Sequence, residues 1–382
     1  MHILILALHS PTEPTGVCRY AVNLAHCLAD LDLVKKITFV TGSWQRYYYE
    51  EFFSLSSSKI ELVDVNIKNN SPSRNLWFLF EFPNLAKKCS AEIIHLAFPL
   101  PFIRSRFSCP VIATVHDFYP YQLPENFGRK KAFFNRLILK QCVHSSDGLA
   151  CVSKTTLGDL KKYFPVKSNQ KPLAVTYNLV NFENVVAKPP NFTKEKFNRS
   201  FILSVAQHRK NKNLDLLIRS FSVLKKDDVF RQKTPLCLVL VGASGPETNR
   251  LNQLVKDLSL DASVFMISAI SESELCWLYQ NCEVFVIASS IEGFCIPLIE
   301  ALYFSCKSVC SDIPVLREIG LSNCVYFDLK RNALDNLTQA IRKAISSESC
   351  HQTAVREELK NRFSKQETVK ECINIYSKAI NS

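Results

Sequence analysis

Nowhere do the 382 residues hold an apolar run near the roughly 20 needed to cross a bilayer. The longest candidates, Leu76 to Phe82 and Ile93 to Ile103, are interrupted by Glu81, His95 and two prolines. The apolar start, Met1 to Leu8, lacks a basic flank and a small-residue cleavage site. It reads as a first buried strand rather than a signal peptide, and the chain is expected to stay in the cytosol. No Cys-x-x-Cys occurs among the fifteen cysteines, several of which (Cys27, Cys151, Cys237, Cys310) sit in apolar runs. Buried free thiols are expected, not disulfides or zinc ligands. Gly-x-Gly-x-x-Gly and Walker loops are missing, which removes the usual support for nicotinamide or NTPase chemistry. No aromatic–basic platform speaks for nucleic acid.

What is present is a chain of 47% hydrophobic residues with mean hydropathy near zero, long enough for two domains with separate cores. Its net charge of +12 is uneven. Residues 1–190 hold 22 Lys and Arg against 14 Asp and Glu, so the basic excess belongs to the N-terminal half. It is densest at Arg129, Lys130, Lys131, Arg136 and Lys140, interleaved with Phe133, Phe134, Leu137, Ile138 and Leu139. That pattern fits an amphipathic helix lying on anionic lipid headgroups, and equally a packed helix with solvated basic side chains.

Short β-type runs alternate with helical stretches throughout, predicting an α/β architecture of parallel sheets. In the first half the strands are Ile3–Leu8, Ile37–Val40, Ile60–Val65, Ile93–Leu96, Val111–Val115, Gly148–Val152 and Ala174–Thr176, with helices at Cys18–Leu31, Asn84–Cys89, Lys130–His144 and Lys154–Tyr163. A second series begins at Phe201–Val205. Its further strands are Leu236–Val241, Val264–Ile267, Val284–Ile287, Ser308–Cys310 and Val325–Phe327. Its helices are Leu214–Leu224, Glu247–Leu258, Glu272–Asn281, Ile296–Leu302 and Asn332–Ser346. The polar, proline-bearing stretch between them suggests domains at 1–182 and 200–362, a linker at 183–199 and a terminal helix in 363–382. Two such Rossmann-like halves would face a central cleft.

Five places along the chain offer turn chemistry, reactive side chains or both. Ser289 to Leu302 reads as a loop leaving a strand and entering a helix near Pro297, so the amides of Gly293, Phe294, Cys295 and Ile296 are expected to meet phosphate. Glu300 is expected in that helix's first turn, accepting ribose hydroxyls, with Glu292 on a second polyol; a plain dipole partner is the alternative. Gly16 opens a helix after a Pro/Thr turn and lets backbone approach a ligand. His116-Asp117 ends a buried strand, where histidine can donate to a sugar hydroxyl and aspartate can orient a nucleophile, or the pair can simply cap the next turn. Finally, Arg209, Lys210 and Lys212 follow the strand Phe201–Val205 as a diphosphate clamp or a solvated basic turn, and Gly242 suits backbone contact with a base or phosphate.

Glu292-Gly293-Phe294-x-x-Pro297-x-x-Glu300-Ala301 resembles the C-terminal motif of the GT4 family of retaining glycosyltransferases, whose two glutamates stand eight apart. Gly16-Val17-x-Arg19-Tyr20 resembles the glycine loop of its mannosyltransferase-like members, with Thr15 in place of a second glycine, and His116-Asp117-x-x-Pro120 resembles its histidine segment. The resemblance implies a GT-B fold whose last helix crosses back onto the first domain. His116 would touch the donor hexose, and Asp117 would serve acceptor or catalytic geometry. Glu300 would bind ribose, Glu292 the sugar, and Lys212 the diphosphate. Ile267 to Ile270 would pack on the base. Where the family has arginine this chain has Gln207, so Arg209 is the candidate replacement; where it has glycine, this chain has Cys295. The activity implied is metal-independent transfer of a hexose, mannose by preference, from a GDP- or UDP-sugar to a lipid-linked glycan acceptor of surface polysaccharide (O-antigen or capsule) assembly, at the inner face of the cell membrane. Alternatives are another GT-B enzyme, an epimerase or phosphorylase, or a non-catalytic nucleotide-sugar-binding scaffold.

Overall fold

Aliphatic and β-branched runs with little polar alternation give parallel strands; thirteen strands lie among the described residues, most of them buried on both faces, with edge strands such as Ile60–Val65 partly exposed. The computed structural model describes residues 1–51, 53, 55, 57–126, 128–165, 171–180, 182, 185–190, 200–227, 236–268, 270–347, 357–359 and 361–381. Of the expected 183–199 linker only 185–190 are among these, and Ala269 of the expected base-packing segment lies outside them. The chain divides into two units, Met1–Leu179 with Phe363–Ser382, and Val180–Arg362.

In the first unit β1 (His2–Leu6), β2 (Lys36–Gly42), β3 (Ile60–Val65), β4 (Ile93–Leu96), β5 (Val111–Val115), β6 (Gly148–Cys151) and β7 (Leu173–Val175) form one parallel sheet in the order β3-β2-β1-β4-β5-β6-β7. Its helices are α1 (Gly16–Ala29), α2 (Arg46–Glu51), α3 (Ser71–Lys88), α4 (Tyr119–Gln122), α5 (Arg129–Ser145) and α6 (Lys154–Tyr163). The expected helix Asn84–Cys89 is only the end of α3. Pro83 reads in sequence as a break, yet it lies inside α3 and is buried together with Trp77, Phe78 and Phe82, whose packing outweighs the lost backbone bond. The expected strand Ile3–Leu8 stops at Leu6, although Ala7 and Leu8 stay buried.

The second unit repeats the plan with β8 (Phe201–Val205), β9 (Cys237–Val241), β10 (Val264–Ile267), β11 (Val284–Ile287), β12 (Ser308–Ser311) and β13 (Cys324–Phe327) in the parallel order β10-β9-β8-β11-β12-β13. Its helices are α7 (Leu214–Lys225), α8 (Thr248–Asp257), α9 (Glu272–Asn281), α10 (Ile296–Tyr303), α11 (Pro314–Gly320) and α12 (Ala333–Ser346). The strand order reverses beside β8, placing the β8 and β11 exits at the switch point where ligands of doubly wound sheets bind. Residues 185–190 include Lys188, whose N–H donates to Ser273 of this unit at 3.0 Å.

The last helix, α13 (Lys365–Ile380), returns to the first unit. Cys372, Ile375 and Tyr376 are buried there, and the Tyr376 hydroxyl meets His95 Nδ1 at 2.6 Å. His95 Nε2 continues to Thr114 at 2.7 Å, and Thr114 to the Tyr20 hydroxyl at 2.8 Å. A polar chain thus runs through the core from α13 to α1. Each member has a partner, as burial demands.

Candidate functional site

The β8 exit and the β11 exit are sewn together by three consecutive residues. Asn211 Nδ2 donates to the Ile291 carbonyl at 3.3 Å, Asn213 Nδ2 to the Ala288 carbonyl at 2.8 Å, and Lys212 Nζ to Glu292 Oε1 at 2.6 Å. The Ser290 N–H returns a bond to the Asn211 carbonyl at 2.8 Å. Asn213 stands at φ 47°, ψ 39°, a left-handed position that asparagine tolerates better than most side chains. It ends the tight turn Lys210–Lys212 and starts α7. The Lys212–Glu292 pair is mostly out of solvent, with side chains 18% and 7% exposed. Lys212 therefore does not stand as an isolated phosphate clamp. One of its three donors is committed to Glu292, and two can serve an anion.

Gly293 to Ile296 carries the chain from Glu292 into α10. Cys295 takes the left-handed conformation itself, at φ 72° and ψ 69°, and is buried. Burial also pushes its thiol pKa well up, so it stands as a neutral packing group. Glu300 is placed differently from its sequence reading. α10 begins at Ile296, so Glu300 falls in the second turn, only 3% exposed, where its Oε2 accepts the Tyr279 hydroxyl at 2.8 Å. Tyr279, on α9, was not among the sequence candidates. Its burial and its distance of 21 positions from Glu300 leave no local signal in the sequence.

Gly242 also has a reason of its own. A Cβ there would stand 2.1 Å from the Ala206 carbonyl oxygen, so the glycine lets the β9 exit pass the backbone of the β8 exit. Beside it, Gln207 is partly exposed and its carbonyl accepts the Arg209 N–H at 2.7 Å. Arg209 is exposed and precedes the turn Lys210–Lys212 as its N-cap, and it is Lys212 that pairs with Glu292.

In the first unit, Gly16 is the exposed first residue of α1. Thr15, standing where the resemblance has glycine, is its N-cap, accepting from the Cys18 N–H at 3.5 Å. His116 follows β5 and its Nε2 lies 2.7 Å from the Ala97 carbonyl. A carbonyl only accepts, so Nε2 carries the proton. Burial holds the ring pKa down at about 4, keeping it neutral near pH 7. With Nε2 donating to Ala97, Nδ1 of the neutral ring is an acceptor and not the donor that the sequence reading gave it. Tyr20 packs edge-on against the ring at 5.0 Å and 89°. Asp117 Oδ1 accepts the Tyr119 N–H at 3.0 Å, closing the turn into α4. The single Asp-x-Asp of the sequence, Asp30 to Asp32, lies past the end of α1, where Asp30 pairs with Lys365. Among the described residues no group of three or more His, Cys, Asp or Glu is arranged to hold a metal ion.

Of the predicted basic segment, Arg129, Lys130, Lys131 and Lys140 are exposed on α5. Arg136 is not one of that set. Its Nε donates to the Pro120 carbonyl at 2.7 Å and its guanidinium lies over the Tyr121 ring at 5.2 Å.

Among known proteins, residues 14–184 match the family described as Glycosyltransferase Family 4, and residues 188–367 match Glycosyl transferases group 1. The chain is 26% identical over 322 residues to the O-antigen chain mannosyltransferase RfbU of Salmonella typhimurium, covering 82% of each. It is 33% identical over 179 residues to the N-acetylgalactosamine-N,N'-diacetylbacillosaminyl-diphospho-undecaprenol 4-alpha-N-acetylgalactosaminyltransferase of Campylobacter jejuni, covering 47% of this chain and 45% of that one. In fold it is similar to sucrose-phosphate synthase of Thermosynechococcus elongatus, with TM-score 0.75 at 15% identity and 98% of both chains covered. It is also similar to Anabaena Alr3699/HepE in complex with UDP-glucose, with TM-score 0.69 at 14% identity and 99% of both chains covered. Two Rossmann-like units, a last helix returned to the first of them and matches to both family halves leave one assignment: the chain belongs to the GT4 family of glycosyltransferases, with the GT-B fold.

Proposed function

We propose that this transferase moves a hexose from a nucleotide diphosphate sugar to a hydroxyl of a glycan acceptor, with retention at the anomeric carbon. The observation that carries the reading is the Lys212–Glu292 pair on the loop entering α10, within a strand–loop–helix unit whose helix N-terminus carries the positive end of its dipole. As the glycosidic bond breaks, negative charge grows on the leaving diphosphate. The two remaining donors of Lys212 and the amides of Gly293 to Ile296 would meet it, with no metal required. One preorganised donor of this kind is worth about 2.7–4 kcal/mol in the transition state. Glu292, held by Lys212, would accept donor-sugar hydroxyls, and Glu300, oriented by Tyr279, those of the ribose. Gln207 and Gly242 would line the same donor site, with Arg209 a further cation in the field of the diphosphate. His116 would accept a hexose hydroxyl at Nδ1, and Asp117, through the turn it closes, would shape the acceptor side with Gly16.

An O-antigen type of pathway, a lipid-linked acceptor and mannose as the sugar are supported by the similarity to the Salmonella and Campylobacter enzymes and by the basic excess of the first half. Work in the cytoplasm at the inner face of a membrane belongs to the same reading. No helix among the described residues is long and apolar enough to cross one. The test is a panel of UDP- and GDP-hexoses with polyprenyl-diphosphate-linked oligosaccharides, followed by NMR of the new linkage. Transfer with retained anomeric configuration is the expected result. Binding without transfer or donor hydrolysis overturns the reading in favour of a scaffold, and donor conversion without acceptor in favour of an epimerase or phosphorylase.

A further inference from the structure

α5 is fixed on one side and bare on the other. Ala132, Leu139, Cys142 and Val143 are buried in the unit. The C-terminal end is clamped by Lys171, whose Nζ donates to the carbonyls of Val143, His144 and Ser146 at 2.8, 2.9 and 2.7 Å. Gln141 exchanges bonds with the backbone of Phe102 in both directions. Against this firm seating, Phe133, Phe134 and Leu137 are 58%, 62% and 47% exposed. The two phenyl rings touch each other edge to face at 5.9 Å. At 100° per residue, Lys130, Phe133, Phe134, Leu137 and Lys140 fall along one side of the helix. Arg129 and Lys131 flank it, and α5 contains no Asp or Glu.

We propose that this face docks the first unit on an anionic phospholipid bilayer. Phe133, Phe134 and Leu137 enter the boundary between headgroups and acyl chains, and Arg129, Lys130, Lys131 and Lys140 meet the lipid phosphates. Two observations select this partner. Large apolar side chains stand in solvent on a helix that is not fraying, and α5 itself carries basic residues and no acid, the sign that complements an anionic surface. Arg136 is excluded from the contact because it is spent on Pro120 and Tyr121. Neither aromatic insertion nor charge alone gives stable docking, so both are required. The inference deepens the reading of a membrane-borne acceptor, but its test contains no transfer reaction, so the two stand or fall separately.

The experiment is flotation of the full chain with vesicles of phosphatidylethanolamine and phosphatidylglycerol, against vesicles of phosphatidylcholine alone. Binding to the anionic vesicles at least about ten-fold above the neutral ones is expected, weakening as salt rises through the screening range. F133S/F134S and K130E/K131E should each lose about ten-fold or more of that binding, whereas Arg136→Gln should retain its salt dependence. Parallel melting curves identify any variant that has lost its fold, and a milder Phe134→Tyr then serves in its place. Equal binding of parent and both double variants, or no preference of the parent for anionic vesicles, overturns the proposal. So does a dimer of the parent that F133S/F134S dissociates in solution without vesicles, since the face would then be covered by a second copy.

Discussion

At the residue scale, the candidate donor site rests on pairs rather than on single charges. Lys212→Met should lower kcat/KM by about 10²–10³, because an anion-facing donor is lost and Glu292 is left mostly buried without its cation. Glu292→Gln should keep the loop folded and affect the sugar more than the nucleotide, which a comparison of UDP and UDP-hexose affinities would reveal. Tyr279→Phe removes a hydrogen bond to a buried carboxylate, about 1.5–3 kcal/mol, and should raise donor KM more than it lowers kcat. Cys295 tests the backbone: Cys295→Gly relieves a left-handed position and should be tolerated, while Cys295→Val should cost at least about 1–2 kcal/mol, read as a lower melting temperature. The carboxylates and the cation of this site were visible in the sequence as residue types at spaced positions. Their partners were not, since Lys212 and Glu292 are 80 positions apart and nothing local encodes that one holds the other. The tautomer of His116 was hidden for the same reason, being set by a carbonyl 19 positions away.

At the scale of elements, the turn Lys210–Lys212 and the β11 exit act as one clasp. Asn213 serves it twice, by accepting a left-handed backbone and by bonding to Ala288. These two demands separate by substitution. Asn213→Gly keeps the backbone and loses only a bond worth about 1 kcal/mol, whereas Asn213→Ala loses the bond and adds the left-handed strain. Donor affinity should therefore fall in the order parent, Gly, Ala; equal affinity in all three would show that the clasp does not position the site. Strands and helices with strong periodicity, such as Val111–Val115, Val284–Ile287 and Glu272–Asn281, were legible to the residue. α3 was not, because a proline with apolar neighbours reads as an end unless tertiary packing is known. α11, only seven residues from Pro314, is too short to show a period.

At the scale of the whole molecule, α13 ties the end of the chain into the core of the first unit through Tyr376 and His95. His95 is fully buried and its pKa is held down at about 3, below the ordinary 6.5, by desolvation first and by His116 second. A lowered histidine pKa favours the neutral folded form. Its contribution is complete above about pH 6.5 and is lost as pH falls towards about 4 for His116 and about 3 for His95. The melting temperature should decline across that window, and His95→Gln should flatten the decline; a flat parent profile would contradict the assignment. Two parallel α/β series were legible in the sequence, because alternation of apolar strands and amphipathic helices is a property of the chain itself, whereas the return of the last helix was implied only by the family resemblance. The central claim is that the β8 and β11 exits of the second unit hold a nucleotide diphosphate. Titration calorimetry of UDP and GDP with the parent and with Lys212→Met tests it most directly. Binding of at least one nucleotide by the parent, weakened about ten-fold or more in the variant, is predicted; equal affinity in both proteins, or binding of neither nucleotide by the parent, would contradict it.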